Sequence, residues 1–122
     1  MPRRLADLVY EPLHAGALEG AALLGEAAGG DRLLVRVGLW LDPDGRVQRA
    51  RHRTSACAAL IGYAEAACLL AEAGEPPGAL RAGRLLAAVT GAHPLHRDRA
   101  ELVARALAQA LSSRPEVAEG SR

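Results

Sequence analysis

The chain has 122 residues and a formal net charge of +1. That length suits one domain around a single modest core, and the near-neutral balance argues against general electrostatic capture of nucleic acid. All 15 basic residues are arginine; lysine, asparagine and phenylalanine are absent, so leucine, valine and alanine must fill the interior.

Residues 3–10 predict a short helix, ended by Pro12 and Gly16. Ala17 to Ala28 is small, apolar and punctuated by glycine, and reads as a weak strand around residues 20–25 followed by a mobile loop from Gly25 to Gly30. A clearer strand follows. Leu33, Val35, Val37, Leu39 and Leu41 alternate with Leu34, Arg36, Gly38, Trp40 and Asp42, the period of a half-buried strand. Asp42-Pro43-Asp44-Gly45 predicts a hairpin turn, since proline sets φ and glycine accepts a positive one. Arg46 to Thr54 is the returning strand, with Arg49, Arg51 and Arg53 on a solvated face and His52 on the other. His52 is expected as a hydrogen-bonded core residue.

From Ala58 to Ala73 the pattern turns helical, with Leu60, Ala64, Ala67 and Ala71 on one face, widened by Ile61 and Cys68. Thr54 or Ser55 is placed to cap it. Helices over 79–89 and 97–112 follow, separated by Gly91 and Pro94. Strands first and helices after predict an α+β fold: a small three-stranded antiparallel sheet with helices packed on one face. Residues 1–112 form the expected domain and 113–122 a flexible polar tail. No apolar run reaches the ~18 residues of a membrane-spanning helix, and none after Arg3-Arg4 suits a signal peptide.

Cys57 stands where the arginine-rich strand gives way to the alanine-rich helix. A helix start offers unpaired backbone N–H groups and the positive end of the helix dipole, which favour a thiolate. Two polar stops can close on it: Gly29-Gly30-Asp31 and His93-Pro94-Leu95-His96. Asp31, Cys57 and His96 together make a metal-ligand set of one carboxylate, one thiolate and one imidazole, which suits a single Fe(II) or Zn(II) ion. The competing reading makes Cys57 a small core residue, Asp31 a turn residue and His96 a helix cap. Cys68 is expected in the core, about 16 Å along the helix from Cys57. No disulfide can span that distance, and reduced cysteines fit a cytoplasmic protein. His14 and His93 are expected in surface loops, able to join a metal site where a loop folds inward. The arginine stripe is a solvated face or a docking surface for an acidic partner; no aromatic interleaves it, which disfavours nucleic acid.

Several segments together resemble the iron–sulfur cluster assembly scaffold family of the NifU N-terminal domain and IscU. Pro12-Leu13-His14-Ala15-Gly16-Ala17-Leu18 is similar to its P-x-x-x-G-x-L, and Ala28-Gly29-Gly30-Asp31 to its A-C-G-D loop. Asp44-Gly45-Arg46-Val47 followed by Arg51-His52-Arg53-Thr54-Ser55-Ala56-Cys57 resembles D-G-x-I and K-F-K-T-x-G-C, and Leu95-His96-Arg97-Asp98 resembles L-H-C-S. The likeness spans roughly residues 10–111. It implies the family's α+β fold and a binding protein in cluster assembly, not an enzyme. It also implies iron or an iron–sulfur cluster as cargo, a cysteine desulfurase or other assembly protein as partner, and a possible homodimer pooling Cys57 and His96. Of the family's three cysteines with neighbouring Asp and His, this chain keeps Asp31, Cys57 and His96; Gly29 and Arg97 stand at the other two cysteine positions. Thr90-Gly91-Ala92-His93-Pro94 replaces the chaperone-recognition segment L-P-P-V-K. The alternative is a metal-free interaction module that kept the fold and docks through its arginine-rich strand and the 25–30 loop.

Overall fold

The computed structural model of the chain describes residues 2–113. Apart from Ser113, the tail expected beyond residue 112 lies outside them. The fold is α+β, as the order of elements predicts. Its sheet runs β2 (Leu23–Ala28), β3 (Leu34–Leu41) and β4 (Val47–Thr54), antiparallel and adjacent in that order. The alternation in β3 works as read: Val35, Val37 and Leu39 are buried, while Arg36 faces solvent. The turn between β3 and β4 is held by Asp42 Oδ1, which accepts from Asp44 N and Arg46 N, both at 2.9 Å.

Among the described residues, four α-helices complete the fold: α1 (Leu5–Tyr10), α2 (Ala58–Glu72), α3 (Ala82–Ala88) and α4 (Arg99–Ser112). Two-residue strands, β1 (Arg3–Arg4) and β5 (Val89–Thr90), pair in parallel beside them. α2 lies between the sheet, α1 and α4, and nearly all of its circumference is buried. That is why its sequence is apolar on every face. Its alanines and Gly62 permit close approach; a Cβ on Gly62 would collide with Leu5.

The first strand lies further along the chain than the sequence suggests. Gly25 to Ala28 is strand, not a mobile loop. The reason is α4, which crosses so close that a Cβ on Gly25 would strike the backbone of Ala106 and Ala110. Here glycine is needed for packing, and the same residue made the segment look irregular. β4 would be a bare edge, but residues 14–16 cover it. His52 N donates to His14 O at 2.9 Å and Gly16 N to His52 O at 3.1 Å. Among the described residues, no helix is long and apolar enough to cross a membrane.

Candidate functional site

Cys57 is placed by the way β4 ends. Ser55 N donates to Leu34 O, and Leu34 N donates to Ser55 Oγ, each at 2.9 Å. This double bond to β3 uses the hydroxyl expected to cap α2. The N-cap residue is instead Cys57, with extended backbone at φ −142° and ψ 114° and no side-chain cap bond. Its carbonyl accepts from Ile61 N at 2.9 Å. The half-buried thiol is therefore free to meet something else, and its neighbour is Arg99, in the first turn of α4. Asp98 above all, and then Cys57, hold that guanidinium protonated. Asp98 Oδ1 accepts from Arg99 Nη1 at 2.7 Å, while Arg99 Nε is buried without a hydrogen-bond partner among the described residues.

The other two candidates lie in separate exposed turns. Gly29 packs against Leu102, one helical turn past Arg99. Asp31 follows in an exposed turn closed by Leu33 N donating to Gly30 O at 3.2 Å, with φ +58° at Asp31 itself. His96 ends a 3₁₀ turn, Pro94–His96, and is exposed. His93 caps that turn: its Nδ1 accepts from Leu95 N at 3.1 Å. Its ring lies 5.7 Å from that of His96, centroid to centroid. Among the described residues, no group of three or more His, Cys, Asp or Glu side chains is placed to hold a metal ion. Nor do Asp31 and Arg97 form an ion pair among them. Burial raises the Tyr63 hydroxyl, and the Arg97 charge partly opposes that rise.

This donor set does not fit a two-iron cluster held by one chain. Such a cluster takes four protein ligands, mostly thiolates, and this end of the fold offers one sulfur. A guanidinium also stands beside that sulfur, where it opposes a cation.

The two cysteines should differ sharply in reactivity. Cys68 is buried among α2 and its neighbours. Burial first, then the Glu65 and Glu72 charges, push its thiol far above the ordinary range. Thiols react as thiolates, so iodoacetamide should label Cys57 well before Cys68, as read by peptide mass spectrometry. Faster labelling of Cys68 would contradict this placement.

A second polar cluster lies deeper. Glu65 is the only charged residue from Ala58 to Ala71 and is 2% exposed. Its carboxylate takes His14 N at 3.1 Å, His14 Nδ1 at 2.5 Å and His52 Nε2 at 3.0 Å. His14 Nε2 lies 2.9 Å from Glu72 Oε1. Glu72 Oε2 accepts from Ala50 N at 2.8 Å and from Arg51 Nη1 at 2.7 Å, and His52 Nδ1 meets Thr54 Oγ1 at 2.8 Å. Burial alone would raise the Glu65 carboxyl, but the bonds from His52 and His14 more than offset it and hold it below the usual range. Glu72 is likewise held low: burial opposes, while Ala50 N–H, His14 and Arg51 prevail.

His52 is thus the hydrogen-bonded core residue expected of it. His14 is not a surface residue; it is 7% exposed and fastens the residues after α1 onto α2 and β4. Both of its ring nitrogens face carboxylate oxygens, which only accept, so both are satisfied when both carry protons. All four histidine nitrogens are committed to these partners. The network is built as a fastening, with no lone pairs converging on a common point.

Comparison with protein-family models and with curated proteins finds no match.

Proposed function

We propose that this chain acts in iron–sulfur cluster assembly or iron handling as a NifU/IscU-like scaffold protein. It is a binding protein, not a catalyst, and presents Cys57 to a single iron ion or to an assembly partner such as a cysteine desulfurase. The observation that carries this reading is the position of Cys57. It lies three residues beyond β4 and is the N-cap residue of α2, with its thiol left free of any cap bond. That is the order in which the motifs resembling the family occur along the chain. The iron is cargo in this reading, with Asp31, Cys57 and His96 as its donors once the turns bearing Asp31 and His96 close on Cys57; Zn(II) suits the same set. A homodimer pooling two Cys57 thiolates and two His96 rings supplies the four ligands that one chain lacks. Two free cysteines fit a reducing compartment such as the cytoplasm.

The test is metal binding by the protein purified without chelator and titrated anaerobically with Fe(II) and with Zn(II). Cys57→Ser, Asp31→Ala and His96→Ala should each weaken binding. Affinity should also fall as pH drops, because thiol and imidazole must lose protons to ligate. Equal affinity in the wild type and the triple variant would remove the three-donor site. The second reading, a metal-free interaction module, would then take its place. What favours that reading is Arg99, a guanidinium near Cys57 whose positive charge opposes a cation there.

A further inference from the structure

The sheet has two edges. Residues 14–16 cover β4, but among the described residues no strand pairs with β2 on its other side. Gly29 N donates to Leu33 O at 3.0 Å, which sets the alternation of the antiparallel ladder: Ala27 and Gly25 face β3, while Leu24 and Glu26 turn their N–H and C=O groups away from it. Side chains of α4 reach round to those groups. Gln109 Oε1 accepts from Glu26 N at 2.5 Å. Ser113 Oγ lies 3.3 Å from Leu24 O, but only 2.7 Å from Ala110 O. One hydroxyl proton cannot serve both, and the shorter contact takes it, so Leu24 O remains available. Glu26 N and Leu24 O flank Gly25. One residue of a parallel strand opposite Gly25 satisfies both, its N–H donating to Leu24 O and its C=O accepting from Glu26 N. At the same edge lies a cavity of about 380 Å³, lined by Leu18, Glu19, Leu24, Glu26, Arg36 and Gln109. Leu24 is 50% exposed, an apolar side chain without cover. Glu26 is paired with Arg36, whereas Glu19 forms no ion pair among the described residues, so the lining is net negative.

We infer that β2 is a docking edge, to which an extended segment of a partner protein adds in parallel, with a small residue opposite Gly25, an apolar residue before it and a basic residue after it. Opposed residues of neighbouring strands share a face. Gly25 faces α4, where a Cβ would strike Ala106 and Ala110, so the residue opposite it lies under the flank of that helix and must be small. The residues on either side of it lie on the outer face. The earlier one comes beside Leu24 and is buried against Leu18. The later one comes beside Glu26, within reach of Glu19, and opposite charges attract across a strand pair. Backbone hydrogen bonds supply the affinity and the alternate side chains the selectivity. Until the segment arrives, Gln109 guards the edge against unwanted pairing. Residues 18–21 cross the outer face one strand further in, over Gly38 of β3, and form the far wall of the cavity. An antiparallel β2–β2 pair between two copies would set their α4 helices about 4.8 Å apart, inside the roughly 8–10 Å that helix packing needs, which argues for a different protein as occupant. The edge lies at the Ser113 end of α4 and Cys57 near Arg99 at the other, so docking requires no metal.

The experiment titrates the isotopically labelled full chain, followed by NMR, with the capped peptide Ser-Thr-Val-Ala-Lys-Thr-Ser and with the same peptide N-methylated at its alanine. The amide signals of Leu24, Glu26 and Ala28 should move together and saturate. The N-methylated peptide has no proton for Leu24 O and should bind about tenfold more weakly. A nitroxide at the peptide N-terminus should broaden Leu23 more than Ala28, as parallel addition requires. Leu24→Lys should weaken binding about tenfold through lost burial and repulsion of the lysine. Gln109→Ala should tighten it about threefold, because the peptide no longer competes for Glu26 N; a purely structural glutamine would not act in that direction. Both substitutions are at exposed positions, and circular dichroism checks that the variants fold. No saturable shift at β2, equal binding of the N-methylated peptide, broadening centred on Ala28, or no tightening in Gln109→Ala would each overturn the proposal. So would prior occupancy: a peptide-free dimer abolished by Leu24→Lys would give the edge to a second copy, and Overhauser contacts between Val117 and Leu24 would give it to residues 114–122 of the same chain.

Discussion

Glu65→Ala should cost about 3–5 kcal/mol of folding stability, the range for removing one partner from a buried charged network. Domains of this kind are stable by about 5–15 kcal/mol, so the substitution approaches the limit of what the fold tolerates. The cost is large because one carboxylate satisfies several donors. Without it, His14 N–H, His14 Nδ1 and His52 Nε2 all lose their acceptor in a buried site. The effect should also be local in its onset. Hydrogen exchange should quicken first at His52 N–H, which pairs with His14 O, and then in α1. Urea unfolding of wild type and variant, followed by circular dichroism, measures the total; a difference below about 1 kcal/mol would place Glu65 among ordinary residues.

The same carboxylate sets the acid limit of the fold. Glu65 and Glu72 are held below their ordinary values. The unfolded chain therefore binds their protons at a higher pH than the folded chain does. Their contribution is complete above the ordinary carboxylate range and is lost as pH falls through the depressed folded values. Wild-type stability should thus be level near neutrality and drop below about pH 4.5. Glu65→Ala should be weaker throughout and show a shallower acid slope. A slope unchanged in the variant would assign acid lability to other groups.

The elements that were legible in the sequence are those whose cause is local. β3 declares itself by strict alternation, the following turn by proline and glycine, and α2 by its length and apolar spacing. β2 does not, because what makes it a strand is α4 lying over Gly25, more than eighty residues later. His14 looked like a surface residue for the same reason: its acceptor Glu65 lies 51 residues away. A usable signal was present all the same, since a lone glutamate inside an otherwise uncharged, apolar helix must find buried partners. At the candidate site, Cys57 was placed correctly at the helix start. The cation beside it was not foreseen. The 3₁₀ turn before α4 leaves Arg97 exposed and Arg99, two positions on, half-buried near Cys57. The stacking of Arg49 on Trp40 depends on cross-strand register, which no single strand reveals. An aromatic does flank the arginine stripe, from the neighbouring strand.

In the proposed function, Asp31, Cys57 and His96 are the donors that the chain retains. Gly29 and Arg97 stand at the two other cysteine positions of the family resembled. A Cβ at Gly29 meets only the mobile end of Leu102, at 2.9 Å, which a small rotation relieves. Arg97 is exposed and makes no ion pair among the described residues. Both positions therefore accept cysteine without disturbing the core, and Arg97→Cys also removes a positive charge. The decisive measurement is anaerobic reconstitution with ferrous iron and sulfide, read by visible absorbance and iron counting on the monomer fraction. Wild type should retain no stable two-iron cluster, and the Gly29→Cys, Arg97→Cys double variant should retain one. A stable cluster in the wild-type monomer, or none in the folded double variant, would contradict the account.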